Sequence, residues 1–229
     1  MTTTTESAPL GDRGAADWLP LIRGCSRRVT PWLAALSLTP NQVTALGLVA
    51  GLAAAACFAF GDAVGQVIGA GLFFVYYLFD YCDGELARLR GMSSRFGAYL
   101  DDFADWIVHA AFFLALGHHA SAETGEAMWL WMGAAAAFGG TVSAFLPFVL
   151  GGVPQGETRV ATLSDLGARP SWSDVAIFAF RGLARADFWL IVLGLALADA
   201  LWLLLPAAAI GSQVFWLLYL KKSARRILT

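Results

Sequence analysis

Charge is scarce in this sequence. Of 229 residues only 15 are Lys or Arg and 17 are Asp or Glu, 14% in all, against roughly 25% in an ordinary soluble domain. With 58% hydrophobic residues and a mean hydropathy of +0.63, this scarcity excludes an ordinary soluble domain and places the chain in the membrane class. There is no basic run and the net charge is −2, so nothing suits a nucleic-acid partner. Cysteine is equally sparse. Cys25, Cys57 and Cys82 have neither metal nor redox spacing and read as packing residues; Cys25 and Cys82 fall on the expected cytoplasmic side, where thiols stay reduced. No internal repeat is visible. Residues 1–13 are polar, hold no apolar run that would make a signal peptide, and are expected to be a disordered tail. Aromatics, by contrast, abound: 16 Phe and nine Trp suit a lipid-facing surface with interfacial anchors.

A membrane-spanning helix needs about 20 mostly apolar residues. Candidates run over residues 42–60, 65–81, 96–116 and 128–150, and the stretch 175–220 is long enough for two more, with Asp199 near their turn. The expected fold is an all-α integral membrane protein with six transmembrane helices, preceded by an amphipathic interfacial helix over residues 14–38. The six-helix domain would cover residues 39–222, and a basic tail residues 223–229. Within 14–38, Trp18, Leu19, Leu21, Ile22, Val29 and Trp32 alternate with Arg23, Arg27 and Arg28. That mixture fits a helix lying on the membrane surface, interrupted near Pro31; a basic anchor that only sets orientation fits it too. Thr39 followed by Pro40 is a good start for the first span.

Basic residues are distributed asymmetrically. Arg13, Arg23, Arg27 and Arg28 precede the first span, and Arg88, Arg90 and Arg95 separate the second from the third. Arg159, Arg169, Arg181 and Arg185 lie between the fourth span and the body of the fifth, and Lys221, Lys222, Arg225 and Arg226 follow the last. The opposite loops hold only acidic residues and histidines among their ionisable groups. By the positive-inside rule both termini are cytoplasmic. The Ala- and Gly-rich composition hints at a bacterial plasma membrane.

Between residues 80 and 105 the chain reads DYCDGELARLRGMSSRFGAYLDDFAD. Asp80 and Asp83 close the second predicted span, and Asp101 and Asp105 open the third, with RGMSS supplying the turn. Carboxylates three or four residues apart share one helix face, so two antiparallel helices bring all four to one cytoplasmic point. Four acids there repel one another unless cations hold them, and oxygen-only ligands suit Mg2+ or Mn2+. The competing reading, acids solvated at the surface or paired with Arg88 and Arg95, explains one Asp more easily than four. Asp102 points about 100° away from Asp101 and reads as peripheral.

As a pattern, D-x2-D-G-x2-A-R-x8-G-x3-D-x3-D is carried by Asp80, Asp83, Gly84, Ala87, Arg88, Gly97, Asp101 and Asp105. It resembles the signature of the CDP-alcohol phosphotransferases, membrane enzymes of phospholipid synthesis, with every fixed position filled. Thr39-Pro40-Asn41-Gln42-Val43-Thr44 is similar, more weakly, to the segment opening the first span in that family. The resemblance implies that Asp80, Asp83 and Asp101 ligate two metal ions, and that Asp105 is the general base and also touches the second metal. It makes Gly84, Ala87, Arg88 and Gly97 the nucleotide and pyrophosphate slot, and the protein a homodimer. Read without it, the small residues are ordinary helix-packing positions and Arg88 a snorkelling arginine, which is the reading favoured for Arg90.

The implied reaction carries a phosphatidyl group from a CDP-linked lipid donor, CDP-diacylglycerol, to a small alcohol acceptor such as inositol phosphate or glycerol phosphate, with release of CMP. Transfer of a headgroup from CDP-choline or CDP-ethanolamine to diacylglycerol shares the same metal site. Arg181 and Arg185, four residues apart on the fifth span, predict a pocket for an anionic acceptor, joined by Arg159 or Arg95; snorkelling to the headgroups is the alternative. Many family members carry a basic residue after the last Asp, where this chain has Trp106. His109 either orients Asp105 or packs. A divalent-cation transporter using the same acids is the competing class. Against it, no acid lies mid-span, and Arg88 would oppose a cation path.

Overall fold

The computed structural model describes residues 21–149 and 188–228, and among them regular structure is helical only. Helix α1 spans Leu21–Ala35, α2 Pro40–Phe60, α3 Ala63–Arg90, α4 Arg95–Thr124 and α5 Ala127–Val149. Then come α6 (Phe188–Leu197), a 3-10 turn (Leu201–Leu203) and α7 (Leu204–Leu228).

Local chemistry sets the helix ends. Thr39 and Gln42 form a reciprocal capping box at the start of α2, with Pro40 in the first helical position. Asp62 caps α3 by accepting from Gly65 N at 2.9 Å, and Ser94 caps α4 by accepting from Gly97 N at 3.0 Å. At the end of α3, Gly91 adopts φ +63° and closes the last turn onto Ala87 O and Arg88 O, a conformation that favours glycine. Connections this short make each of α2, α3, α4 and α5 antiparallel to the next; in space α2 packs along both α3 and α4, and α4 along α5.

An aromatic stack joins the helices midway. Phe73 of α3 and Phe112 of α4 lie with ring centroids 4.8 Å apart and planes 18° apart, and Phe58 of α2 meets Phe112 edge-on at 5.2 Å. Tyr76, Tyr77 and Val108 continue this core towards the acidic end. A second cluster of Leu33, Val43, Cys82 and Leu86 fixes α1 and the start of α2 against α3.

Four segments are long and apolar enough to cross a membrane: Pro40–Phe60, Ala63–Arg90, Ala127–Leu146 and Leu201–Lys221. They coincide with the first, second, fourth and last of the spans expected from sequence. The third expected span is the 30-residue α4, whose hydropathy is lowered by three aspartates and three histidines. Only the ten-residue α6 represents the fifth among the described residues. Asp199 does mark the turn before the last helix, at φ +53°.

Two local expectations change. The second helix does not end at the acids but continues to Arg90, since polar partners described below sustain it. The break expected near Pro31 is also absent: α1 runs through it to Ala35. Pro31 is exposed, while Ile22, Ser26, Thr30 and Leu33 of the same helix are buried. A missing N–H on the free face is tolerated when the opposite face is docked.

Candidate active site

At the capped end of α3, a cavity of about 530 Å3 opens between α1, α3 and α4. Its floor is α3, contributing Asp80, Tyr81, Asp83, Gly84, Glu85 and Arg88; Asp101 comes from α4 and Arg23 and Arg27 from α1. Five of the expected site residues, Asp80, Asp83, Gly84, Arg88 and Asp101, therefore share one space. Gly84 matters there by lacking a side chain: a Cβ would sit 3.3 Å from Arg88 Nη1.

Each carboxylate has its own support. Asp83 is 5% exposed and accepts from Thr44 Oγ1 of α2 at 2.5 Å. Thr44 Oγ1 also lies 3.2 Å from Pro40 O, and its single proton goes to the shorter, ionic partner. Asp80 and Asp101 meet side chain to side chain across the α3–α4 contact. Asp105, one turn deeper on α4, accepts from the hydroxyl of Tyr76 on α3 and is near enough to Asp80 and Asp101 to repel both. Asp105 does not line the cavity.

The other expected residues scatter more. Ala87 lies one turn beyond Asp83, where its carbonyl accepts from Met92 N at 2.9 Å, and it stays outside the cavity lining. Gly97 sits at the start of α4, where a Cβ would meet Ser94 Oγ at 3.2 Å and Asn41 Oδ1 at 3.3 Å. Arg95 is exposed and off the cavity. Arg159, Arg181 and Arg185 lie outside the described residues.

Both nitrogens of His109 are engaged: Nε2 is 2.9 Å from Tyr77 Oη and Nδ1 is 2.8 Å from the carbonyl of Asp105. That satisfies the packing reading; its contact with Asp105 is to the backbone, not the carboxylate. Trp106 turns away, donating Nε1–H to Thr141 Oγ1 of α5 at 3.0 Å. Arg90 does not snorkel. Its guanidinium donates to Leu38 O and Ala34 O, both at 2.6 Å, and so satisfies carbonyls at the end of α1.

Sequence reasoning missed Glu85, Thr44, Tyr76 and the inward aim of Arg23 and Arg27. Glu85 receives Ser26 Oγ–H at 2.7 Å and Thr30 Oγ1–H at 2.7 Å. The available signal was the pair Ser26 and Thr30, polar at i, i+4 on the otherwise apolar face of a helix.

The donor set fits a hard divalent cation in chemistry, because it is oxygen throughout. Among the described residues, no three His, Cys, Asp or Glu side chains already converge as a metal-ligand group, since hydroxyls and a neighbouring carboxyl hold the aspartates. Within this donor set, Asp101 Oδ1 is buried and has no hydrogen-bond partner. A buried carboxylate oxygen without a donor is costly, and a cation would satisfy it.

Comparison with known proteins shows the family. The profile of the CDP-alcohol phosphatidyltransferase family matches residues 37–151, just over half the chain. A phosphatidylinositol phosphate synthase of Mycobacterium tuberculosis is 39% identical over 98 residues, 42% of this chain and 40% of that protein. A bifunctional IPC transferase and DIPP synthase of Aquifex aeolicus is 36% identical over 99 residues, 43% of this chain and 22% of that one. The matched region thus spans less than half the length of these curated relatives. The crystal structure of the Mycobacterium tuberculosis phosphatidylinositol phosphate synthase with CDP-DAG bound superimposes with a TM-score of 0.52 at 25% identity, covering 82% of this chain and 89% of that one. The form in complex with manganese and citrate gives 0.57 at 24% identity over 86% and 88%, a likeness of fold.

Proposed function

Because the chain belongs to the CDP-alcohol phosphatidyltransferase family, we propose that it transfers a phosphatidyl group from CDP-diacylglycerol to a small phosphorylated alcohol such as inositol phosphate or glycerol phosphate, releasing CMP. The observation that carries this reading is the shared cavity, where Asp80, Asp83 and Asp101 face Arg23, Arg27 and Arg88. Such a trough suits phosphate oxygens, with acidic groups for cations on one flank and guanidinium forks on another. The names of the relatives, phosphatidylinositol phosphate synthases among them, support the choice of acceptor.

Asp80, Asp83, Asp101 and Asp105 would hold two Mg2+ or Mn2+ ions. Bound there, such ions neutralise charge on the phosphates and on the leaving group. The chain's own groups do the rest. Asp105, steadied by the Tyr76 hydroxyl, accepts the proton of the acceptor hydroxyl. The acceptor oxygen bonds to the phosphorus next to the lipid alcohol, and the bond from that phosphorus to the CMP oxygen breaks. Arg88 lies across Gly84 and holds the diphosphate, and no covalent intermediate is required.

The membrane arrangement follows the same reading. Helix α4 packs between α2 and α5 and at 30 residues is longer than either, so we count it as a span despite its aspartates; these lie at its cytoplasmic end. With α6 as part of the fifth, six spans result, and α1 lies at the cytoplasmic surface, where its exposed Trp32 and the adjoining Leu36 face lipid.

The test is release of CMP from CDP-diacylglycerol by the purified full chain with Mn2+ or Mg2+. The acceptor panel comprises inositol phosphate, glycerol phosphate, inositol and serine, with Asp105→Asn as the control. Release with a phosphorylated acceptor, lost in the variant, supports the reading. Release only with CDP-choline or CDP-ethanolamine and diacylglycerol refutes the donor; metal-dependent binding with no CMP from any donor refutes the enzyme.

A further inference from the structure

Three guanidiniums and four carboxylates line one cavity: Arg23, Arg27 and Arg88 against Asp80, Asp83, Glu85 and Asp101. Among the described residues none of these arginines pairs with any of the acids, although Arg is charged at every accessible pH. Opposite charges that share a cavity and stay apart leave room for something that answers both, an anion beside cations.

Two of the three arginines come from α1, which orients them rigidly. Ile22, Ser26, Thr30 and Leu33 form its buried stripe. Arg23 and Arg27 each follow a buried residue by one position, about 100° round the helix, which turns them along α3 and into the cavity. The docking is polar as well as apolar. Glu85 accepts hydrogen bonds from the hydroxyls of Ser26 and Thr30, and Arg90 donates to the carbonyls of Ala34 and Leu38. A helix that only anchored the chain to lipid would need an apolar face and scattered basic residues. It would have no use for two buried hydroxyls bound to a carboxylate 55 and 59 residues away. Arg28 shows the contrast on the same helix: it folds back onto its own Gly24 carbonyl at 3.1 Å and does not line the cavity.

We propose that Arg23 and Arg27 form a phosphate-binding wall of the active site, so that α1 binds substrate rather than merely orienting the protein in the membrane. The ligand is a phosphate ester, supplied either by the diphosphate of the CDP-lipid or by a phosphorylated acceptor. This rests on the function proposed above for the cavity, and it assigns to that function a wall contributed by a surface helix.

The experiment compares R23Q, R27Q, the double variant and R28Q as full chains in uncharged detergent micelles, where attraction to an anionic membrane plays no part. CMP release gives KM for CDP-diacylglycerol and for inositol phosphate separately. Isothermal titration with CDP and with inositol phosphate, in the presence of Mn2+, reads binding without turnover. The double variant is expected to raise one KM at least tenfold with kcat within about threefold, and R28Q to match the parent. A rise for inositol phosphate assigns the wall to the acceptor, and a rise for CDP-diacylglycerol to the donor diphosphate; either supports the proposal. If the parent releases no CMP, the proposed reaction fails, yet binding that weakens tenfold in the double variant still supports the wall. The proposal is overturned if both ligands bind the double variant within twofold of the parent, if R28Q loses as much as the double variant, or if the parent binds neither ligand.

Discussion

Replacing Glu85 with Ala should undock the first half of α1, and Cys82 reports it. Glu85 accepts two hydrogen bonds, at 2.7 Å each, from Ser26 and Thr30, whose residues are 0% and 5% exposed. A hydrogen bond to a charged group contributes about 1.5–3 kcal/mol, so the pair sets an upper limit near 3–6 kcal/mol. Both hydroxyls have a fallback. Ser26 Oγ is already 3.2 Å from Arg23 O, and Thr30 can turn to a carbonyl of its own helix. A net loss of about 2 kcal/mol in docking is the reasonable figure, which corresponds to about thirtyfold in the docking equilibrium. Cys82 is 0% exposed, lies beneath α1 with Sγ 3.9 Å from Ser26 O, and packs with Leu33, Val43 and Leu86. In a Cys25→Ser, Cys57→Ser background, its labelling by a water-soluble maleimide therefore measures local opening. Glu85→Ala should label about thirtyfold faster than the parent, and Glu85→Gln, which retains one acceptor, about three- to tenfold faster. Labelling within twofold of the parent would refute the clamp. So would acceleration only under conditions that unfold the whole protein.

Other substitutions separate the roles assigned to the site. Asp105→Asn should lower CMP release by about a thousandfold, in the range for a lost general base; residual activity above a tenth of the parent's would remove Asp105 from that role. Thr44→Val deletes the 2.5 Å hydrogen bond to Asp83 while keeping the side chain's shape. It should weaken Mn2+ activation about 10- to 100-fold, read as the midpoint of a metal titration of CMP release. Tyr76→Phe removes the donor to Asp105 and should lower kcat about tenfold, leaving KM for CDP-diacylglycerol unchanged; a change in KM alone would count against positioning of the base. Arg90→Ala frees the carbonyls of Ala34 and Leu38 and should expose Leu33 and Leu38, seen as faster proteolysis within residues 30–38 in detergent.

The acidic cluster was legible because its determinants are local. Helical periodicity places acids three or four apart on one face, and a turn rich in Gly and Ser between two apolar runs brings the faces together. The structure keeps that turn at the expected residues, with Gly91 and Ser94 as its caps. Span limits were less legible because hydropathy and helicity are different properties. The apolar run of α3 stops near Tyr81, whereas the helix continues to Arg90 on the strength of Glu85, Arg90 and the Gly91 cap. Partners distant in sequence left no trace in it: Ser26 with Glu85 are 59 residues apart, and Trp106 with Thr141 are 35 apart. The second pairing explains why a Trp after the last Asp says little about the acceptor, since its ring faces α5. Arg90 misled for the same reason. Taken alone it is a basic residue at a membrane boundary, and only the folded chain supplies the two carbonyls it binds.

The supports of the four aspartates differ, and the difference bears on how the site would load. Asp83 has its Oδ2 tied to a hydroxyl from α2, and Asp105 has its Oδ1 tied to one from α3. Each is thereby held in orientation, the arrangement that prepares a ligand. Asp101 is different: its Oδ1 is buried without any donor, and the neighbouring Asp105 and Asp102 repel it as like charges. A cation arriving at Oδ1 displaces no hydrogen bond at that oxygen and relieves both the repulsion and the orphaned atom. The gain per ligand is therefore largest at Asp101, and the hydroxyl-held acids contribute mainly geometry. On this reasoning Asp101→Asn should weaken Mn2+ activation more than Thr44→Val does, because it removes charge where no other group compensates. Equal losses would mean that orientation of Asp83, rather than relief at Asp101, governs metal loading.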